Sequence, residues 1–222
     1  SWCWATRSPP TTSARPARSP AGHPPASGSR PTAWNRSTST RSGPGAGTTL
    51  LAELAARGYA TVADSARAII AVRLARGLSP RPEPAAFARE VLELDIQKFR
   101  APPRSEGPIF YDRSAVEALA MLHAVSPLAD EDLRSMLSRY TFHRTVFVLP
   151  PWQAIFVNDA ERDQSFAHAV DVHPKVVRCY RECGYRVNEV PRLAVSHRAD
   201  HVLRVLAAAV GVAVVVSLGA VS

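Results

Sequence analysis

The sequence predicts an α/β fold, a three-layer sandwich in which a mostly parallel sheet lies between layers of helices. From residue 49 onward, short apolar segments of strand length alternate with longer amphipathic segments of helix length, the pattern of a wound parallel sheet. A glycine-rich segment, 43–47, opens directly into the first helical pattern. At 222 residues and 46% hydrophobic content, the chain is long enough for one such domain with a sizeable core.

The elements alternate along the chain as this fold requires. Gly58, Gly77 and Gly184 each follow a helical pattern, where a glycine closes the last turn. We expect helices over 49–57, 65–76, 85–99, 115–124, 130–139, 163–183 and 196–206, and strands over 59–62, 108–112, 145–149 and 185–191.

The first 42 residues are predicted to be a disordered tail. Residues 1–42 hold seven prolines, six arginines and no acidic residue, and they show no apolar periodicity. A targeting segment and a shifted reading frame are alternatives for this composition. Outside the tail 21 basic residues face 19 acidic ones, so the net charge of +8 does not indicate nucleic-acid binding by the domain.

The last 18 residues, 205–222, carry no charge and are predicted to be an apolar tail outside a domain that spans 43–204. Eighteen residues reach the lower limit of a membrane span, about 17–25 residues. Because the segment is rich in alanine and glycine, we favour an extension of the last helix or a reading-frame artefact over a membrane anchor. Three cysteines are too few for a disulfide framework, so we expect a reducing, cytoplasmic compartment.

The glycine-rich segment has the character of a phosphate-binding loop. Such a loop, G-x-x-x-x-G-K-[ST], surrounds a phosphate with backbone N–H groups and directs the positive end of the following helix at the anion. Ser42 stands where the first glycine belongs, and no apolar strand precedes the loop, so the first strand is missing or degraded. The expected phosphate-binding residues are Gly43, Pro44, Gly45, Ala46, Gly47, Thr48 and Thr49.

The loop also lacks its lysine, because Thr48 follows Gly47 directly. That lysine supplies a charge-assisted contact to the β- and γ-phosphates worth ~1.5–3 kcal/mol. Losing a preorganised charge at the transferring phosphoryl group commonly costs on the order of 10²–10³ in rate. Thr49 can still supply the hydroxyl that a Mg²⁺ ion requires.

A second chemical signal is the acid at the end of an apolar strand, Asp112, followed by Arg113. This position lies at the carboxyl edge of a parallel sheet, where open α/β folds bind ligands and where a metal-binding or water-orienting acid is needed. The alternative is a strand-end aspartate that caps the helix beginning near Ser114. Arg113 either contacts phosphate or pairs at the surface.

Arg162 lies in a segment, 155–162, whose position is that of the lid of a small kinase. Its planar guanidinium suits phosphate oxygens. The alternative interpretation of 159–163 is the solvated start of a helix.

Several motifs in order resemble the bacterial AAA-type predicted ATPases, P-loop NTPases related to the nicotinamide-riboside kinase domain of NadR. They are Gly43-Pro44-Gly45-Ala46-Gly47, Ala66-Arg67-Ala68-Ile69-Ile70, Phe110-Tyr111-Asp112-Arg113, Tyr140, Arg144, Val146-Phe147 and Pro150-Pro151-Trp152. The resemblance implies ATP or GTP with Mg²⁺ bound at the loop, Asp112 at the metal, and a lid arginine near Arg162. The phosphoryl acceptor would be a small molecule that the sequence does not identify.

Four departures separate this chain from that family's pattern: Ser42, the absent Walker A lysine, the absent first strand, and an acidic pair reduced to Asp64. Lys98 and Lys175 lie on other predicted helices, too distant to replace the lysine. We therefore expect a nucleotide-binding ATPase or kinase-like protein with impaired turnover. The alternative is a catalytically inactive relative that keeps the fold as a binding or regulatory module.

Overall fold

The structure is a computed structural model that describes residues 46–156, 165–207 and 213–218. Its helices are α1 (Ala46–Ala56), α2 (Ser65–Ala75), α3 (Pro84–Arg100), α4 (Ala115–Val125), α5 (Asp130–Arg139), α6 (Phe166–Glu182) and α7 (Val195–Ala207). Its strands are β1 (Ala60–Val62), β2 (Ile109–Asp112), β3 (Thr145–Leu149), β4 (Arg186–Glu189) and β5 (Ala213–Leu218), and a 3₁₀ turn covers Gln153–Ile155.

The helices begin and end at residues whose side chains or backbones suit those positions. Asp64 accepts a hydrogen bond from the first turn of α2, and Glu83 accepts from two amides of α3, whose first residue is a proline. Gly58 and Gly184 follow α1 and α6 in the left-handed conformation, with φ of 90° and 83°. These glycines confirm the predicted helix ends, because side chains rarely adopt that conformation.

The described strands form a single five-stranded sheet in the order β1-β2-β5-β3-β4. All four pairings are parallel. β5 lies between β2 and β3, with Asp112 opposite Val216 on one side and Val146 opposite Val215 on the other. The predicted α/β fold with a parallel sheet is confirmed.

Helices cover both faces of the sheet. On one face Leu50 and Leu54 of α1 pack with α7 residues against Phe147 and Val216. On the other face α4 and α6 pack against alternate strand residues, including Val146 and Val215. Since neighbouring residues of β3 and of β5 enter opposite layers, these strands are buried on both faces, as central strands of a parallel sheet must be.

The assignment of residues 213–218 to an apolar tail was wrong. In the described part of the chain the last helix covers Val195–Ala207, and 213–218 form the middle strand of the sheet. An uncharged, β-branched run suits this position because a central parallel strand has no solvent-facing side. The expectations for residues 1–42 and for a missing first strand concern residues outside the described part of the chain.

Replacing Val216 by alanine tests the position of β5. Val216 is 0% exposed and packs against α1 and α7, so we expect Val216→Ala to lower the free energy of unfolding by about 2 kcal/mol through lost burial and a cavity. Urea unfolding measures the change. The matched control, Val170→Ala on the exposed side of α6, should stay within about 0.5 kcal/mol of the wild type; equal effects of the two changes would contradict the central placement of β5.

Candidate functional site

The carboxyl edge of the sheet is the candidate site. α1 packs against the face that includes Val216 and ends just before β1 begins, so it runs opposite to the strands and its N-terminal turn lies at their carboxyl edge. β2 and β3 follow each other among the strands of the chain but lie on either side of β5. The chain segments that follow β2 and β3 therefore run in opposite directions from the carboxyl end of β5. Open parallel sheets bind ligands at such a position.

Asp112 and Arg113 lie at this edge, next to the central strand. All four residues of β2 are buried, and Asp112 is 6% exposed. Arg113 adopts a left-handed backbone conformation with φ of 68°, and its amide donates a hydrogen bond of 3.0 Å to the carbonyl of Val216. This conformation is costly for a residue with a side chain, and the neighbouring strand holds it in place.

Asp64 joins Arg113 to the end of β1. The Arg113 Nε atom lies 3.3 Å from Asp64 Oδ2, and both side chains are largely buried. Asp64 Oδ1 also accepts a 2.8 Å hydrogen bond from the amide of Ala66, which caps α2. One carboxylate thus ties together the turn after β1, the start of α2 and the turn after β2.

The guanidinium of Arg113 is held charged by several acids. Burial lowers its pKa, but the carboxylates of Asp64, Glu117, Asp112 and Asp95 raise it more, so the net pKa lies above its ordinary value. A buried cation surrounded in this way costs less to desolvate, and it lowers the mutual repulsion of the acids.

A second group of polar side chains comes from α2 and α3. The hydroxyl of Ser65 donates a 2.5 Å hydrogen bond to Asp95 Oδ1. Burial raises the pKa of Asp95 to about 7, with Asp64 and Glu117 adding to the rise, whereas Ser65 and Lys98 oppose it. Asp95 is therefore close to half protonated at neutral pH.

Lys98 belongs to the same group. Its ammonium donates a 2.7 Å hydrogen bond to the carbonyl of Ala63, at the end of β1. Burial lowers the pKa of Lys98, and the charges of Asp95, Asp64 and Asp112 oppose that shift. α3 therefore brings the charge of Lys98 to the carboxyl end of β1. The expectation that Lys98 is too distant to replace the lysine of the loop stays a prediction, because residues 43–45 lie outside the described part of the chain.

A third set of polar groups connects this edge to α4 and α6. Tyr180 donates a 2.5 Å hydrogen bond to Glu117 Oε1 and lies 2.9 Å from the hydroxyl of Ser114. Since the single phenolic hydrogen is used by Glu117, Ser114 must donate to Tyr180. Burial raises the pKa of Glu117, and Arg113, Tyr180 and Ser217 of β5 lower it in part.

The space between these groups is nearly closed. A cavity of about 10 Å³ lies among side chains of α2, α3, α4 and the turn after β2, which is room for about one water molecule. Its polar lining is Asp64, Asp95, Arg113, Ser114 and Glu117. No bound small molecule fits there without movement of α2 or α3.

The structure brings together some of the predicted site residues. Asp112 and Arg113 are adjacent at the carboxyl edge, and α1 begins at Ala46, with Gly47, Thr48 and Thr49 in its first turn at the same edge. Thr49 is half-buried. Gly43, Pro44, Gly45 and Arg162 lie outside the described residues.

Sequence reasoning missed three charged groups near this edge: Asp95, Lys98 and Glu117. Asp95 follows Val91 by four positions and therefore lies on the apolar stripe of α3, where an acid requires a partner. Glu117 is the one acid in the otherwise apolar first turns of α4. Charges on apolar helix faces were the available signal, but they do not reveal which partners the fold supplies.

Within the described residues, no three histidine, cysteine, aspartate or glutamate side chains are arranged to hold a metal ion. Among the same residues, no helix has the length and apolar character that crossing a membrane requires.

Comparison with known proteins gives one match. Residues 43–198, well over half of the chain, match a family model described as an AAA domain. No curated protein and no solved structure matches the chain. The match indicates the nucleotide-binding, P-loop class of ATPases and kinase-like proteins, consistent with the parallel sheet and its helices.

The raised pKa of Asp95 predicts a pH-dependent stability. The folded chain keeps the proton of Asp95 up to about pH 7, whereas an unfolded chain releases it near pH 4, so stability falls across this window by at most about 1.4 kcal/mol per pH unit. Asp95→Asn keeps an acceptor for Ser65 but does not titrate. The difference in unfolding free energy, variant minus wild type, should rise from about pH 4 to about pH 7 and then level off.

Urea unfolding at a series of pH values measures this difference. Glu93→Gln is the matched control, because Glu93 is exposed on the same helix; its difference from the wild type should stay flat. A flat difference for Asp95→Asn as well would contradict the raised pKa of the Asp95 carboxyl.

Proposed function

Since the chain belongs to the AAA domain family, we propose that it binds ATP or GTP with Mg²⁺ at the carboxyl edge of its parallel sheet. We further propose that it retains at most slow hydrolysis or transfer of the γ-phosphate, because its Walker A lysine is absent. The acceptor would be a small molecule. A specificity like that of nicotinamide-riboside kinases and a cytoplasmic location both stay predictions.

One observation carries the proposal. A buried acid, Asp112, ends a strand beside the middle of the sheet, at the same edge as the N-terminal turn of α1. A helix N-terminus attracts phosphate, and a strand-end acid beside it attracts the accompanying cation. The two features have complementary charges for a magnesium nucleotide.

The donor set suits Mg²⁺. This ion prefers oxygen ligands and is usually held by one or two carboxylates together with the phosphates of its substrate, rather than by a complete protein cage. Asp112 supplies a carboxylate oxygen and Thr49 a hydroxyl oxygen, both donors that Mg²⁺ accepts. The ion would neutralise charge on the phosphates.

In the proposed site the amides of Gly43, Gly45 and Gly47 bind the phosphates, and Thr48 or Thr49 holds the metal. Arg162 would close over the transferring phosphate as a lid residue. Arg113, which the sequence associated with phosphate, is paired with Asp64. We infer that Arg113 holds the edge of the sheet together, because its charge is already neutralised by the surrounding acids.

The alternative function is a catalytically inactive binding or regulatory module. The absence of the Walker A lysine from the sequence favours it, since that charge contacts the transferring phosphate. Binding of nucleotide and transfer of phosphate must therefore be tested separately.

Calorimetric titration tests the binding site. The full chain should bind ATP or GTP in the presence of Mg²⁺, and Asp112→Asn should weaken that binding about 10- to 100-fold by removing a charged contact. Asp132→Asn, a change of the same kind at an exposed position in α5, should leave the affinity unaltered. No binding of either nucleotide at millimolar concentration would refute the proposal.

Insertion of a lysine between Gly47 and Thr48 tests why turnover is slow. The insertion should strengthen Mg²⁺-nucleotide binding about 10- to 100-fold and raise hydrolysis on the order of 10²–10³. Insertion of an alanine at the same place controls for the longer loop. If the lysine chain binds more tightly yet hydrolyses nothing, the inactive module is the better description; if neither quantity changes, the loop is not assembled.

A further inference from the structure

The middle position of the sheet is filled by the last strand in the described chain. β1 and β2 lie on one side of this position, β3 and β4 lie on the other, and β5 lies between β2 and β3. In a strand–loop–helix phosphate-binding unit, the strand that precedes the loop is followed directly by the helix. Here the helix is α1, and the apolar layer in which it packs includes Val216 of β5 together with Phe110 of β2 and Phe147 of β3.

We propose that β5 replaces the strand to which the glycine-rich loop would ordinarily be attached, so that the unit is circularly permuted. The strand of the unit comes from residues 213–218, and its helix comes from residues 46–56. The geometry of the loop then depends on a segment more than 150 residues away along the chain. This inference concerns the fold and does not rest on nucleotide binding.

The packing of β5 matches that role. Val216 contributes to the layer that contains Leu50 and Leu54 of α1, and Val215 contributes to the opposite layer with α4 and α6. Both valines are 0% exposed. The strand is parallel to its two neighbours, so its carboxyl end lies at the edge where α1 begins.

β5 also holds the residues of the candidate site. The carbonyl of Val216 accepts the hydrogen bond from the amide of Arg113. Asp112 is in register with Val216. A strand with these two connections positions the turn that carries Asp112 and Arg113.

The connection that the proposal implies is short enough to be made. Joining Leu218 to Ala46 through 219–222 and 43–45 uses seven residues, which reach about 23 Å when extended. The end of β5 and the start of α1 lie at the same edge in adjacent layers, which pack about 10 Å apart, so the link is long enough to join them.

The test moves residues 208–222 from their place after Ala207 to a place between Ser42 and Gly43, which keeps all 222 residues. The rearranged chain should unfold cooperatively, with the far-UV circular dichroism of the original chain and a melting temperature within about 5 °C of it. A second version with a four-residue Gly-Ser spacer before Gly43 should behave alike, which removes strain in the link as a cause of failure.

The matched control moves the same segment to a place between Gly77 and Leu78, two exposed residues in the loop after α2. α2 begins at the carboxyl edge of the sheet, so the loop that follows it lies at the amino edge. A strand inserted there in the parallel direction would end at the carboxyl edge, too far from the loop for the chain to continue into α3. The control should lose cooperative unfolding. The proposal is overturned if both chains with the segment before Gly43 are unfolded, or if the control is as stable as they are.

Discussion

The middle of a parallel sheet must be occupied by a strand that is apolar on both faces and paired along both edges. Without β5, the facing edges of β2 and β3 would expose buried N–H and C=O groups with no water to satisfy them, and the two helical layers would lose a shared surface. Residues 213–218 meet this requirement with an uncharged, β-branched run. The layers around α1 and α7 and around α4 and α6 both include valines of this strand.

The buried charges at the carboxyl edge are tolerated because they are arranged in pairs and hydrogen-bonded chains. Arg113 faces Asp64, Tyr180 faces Glu117, and Ser65 faces Asp95. Asp95 has too little positive charge around it to offset its desolvation, so burial raises its pKa to about 7 and favours the protonated form. Such a group of perturbed acids at a ligand-binding edge is typical of functional sites, although structural networks also produce it.

The family of the chain and the sequence of its glycine-rich loop differ in what they indicate about nucleotide chemistry. The AAA domain match indicates a nucleotide-binding class of protein and the strand-end acid suits such a site, whereas the glycine-rich loop lacks the Walker A lysine. Lys98 does not resolve this difference. Its ammonium is bound to the carbonyl of Ala63 and lies among carboxylates, so its charge is already neutralised and is not directed at an incoming phosphate.

Local patterns were sufficient to predict most of the elements. Helix periodicity, the closing glycines and the apolar run 145–149 gave bounds within one to three residues of those observed, because these signals arise from contacts close in sequence. The same reasoning predicted the position of Asp112 at a strand end. It could not predict the role of 213–218, because these residues belong to the uncharged run 205–222. A run of that composition and length is compatible with a membrane span, a helix or a central strand. The gap between β2 and β3 selects the strand, and that gap exists only once the sheet has assembled. The partners of Asp64, Asp95 and Glu117 likewise come from elements 30 to 63 positions away, and therefore the buried network at the site is a property of the tertiary fold.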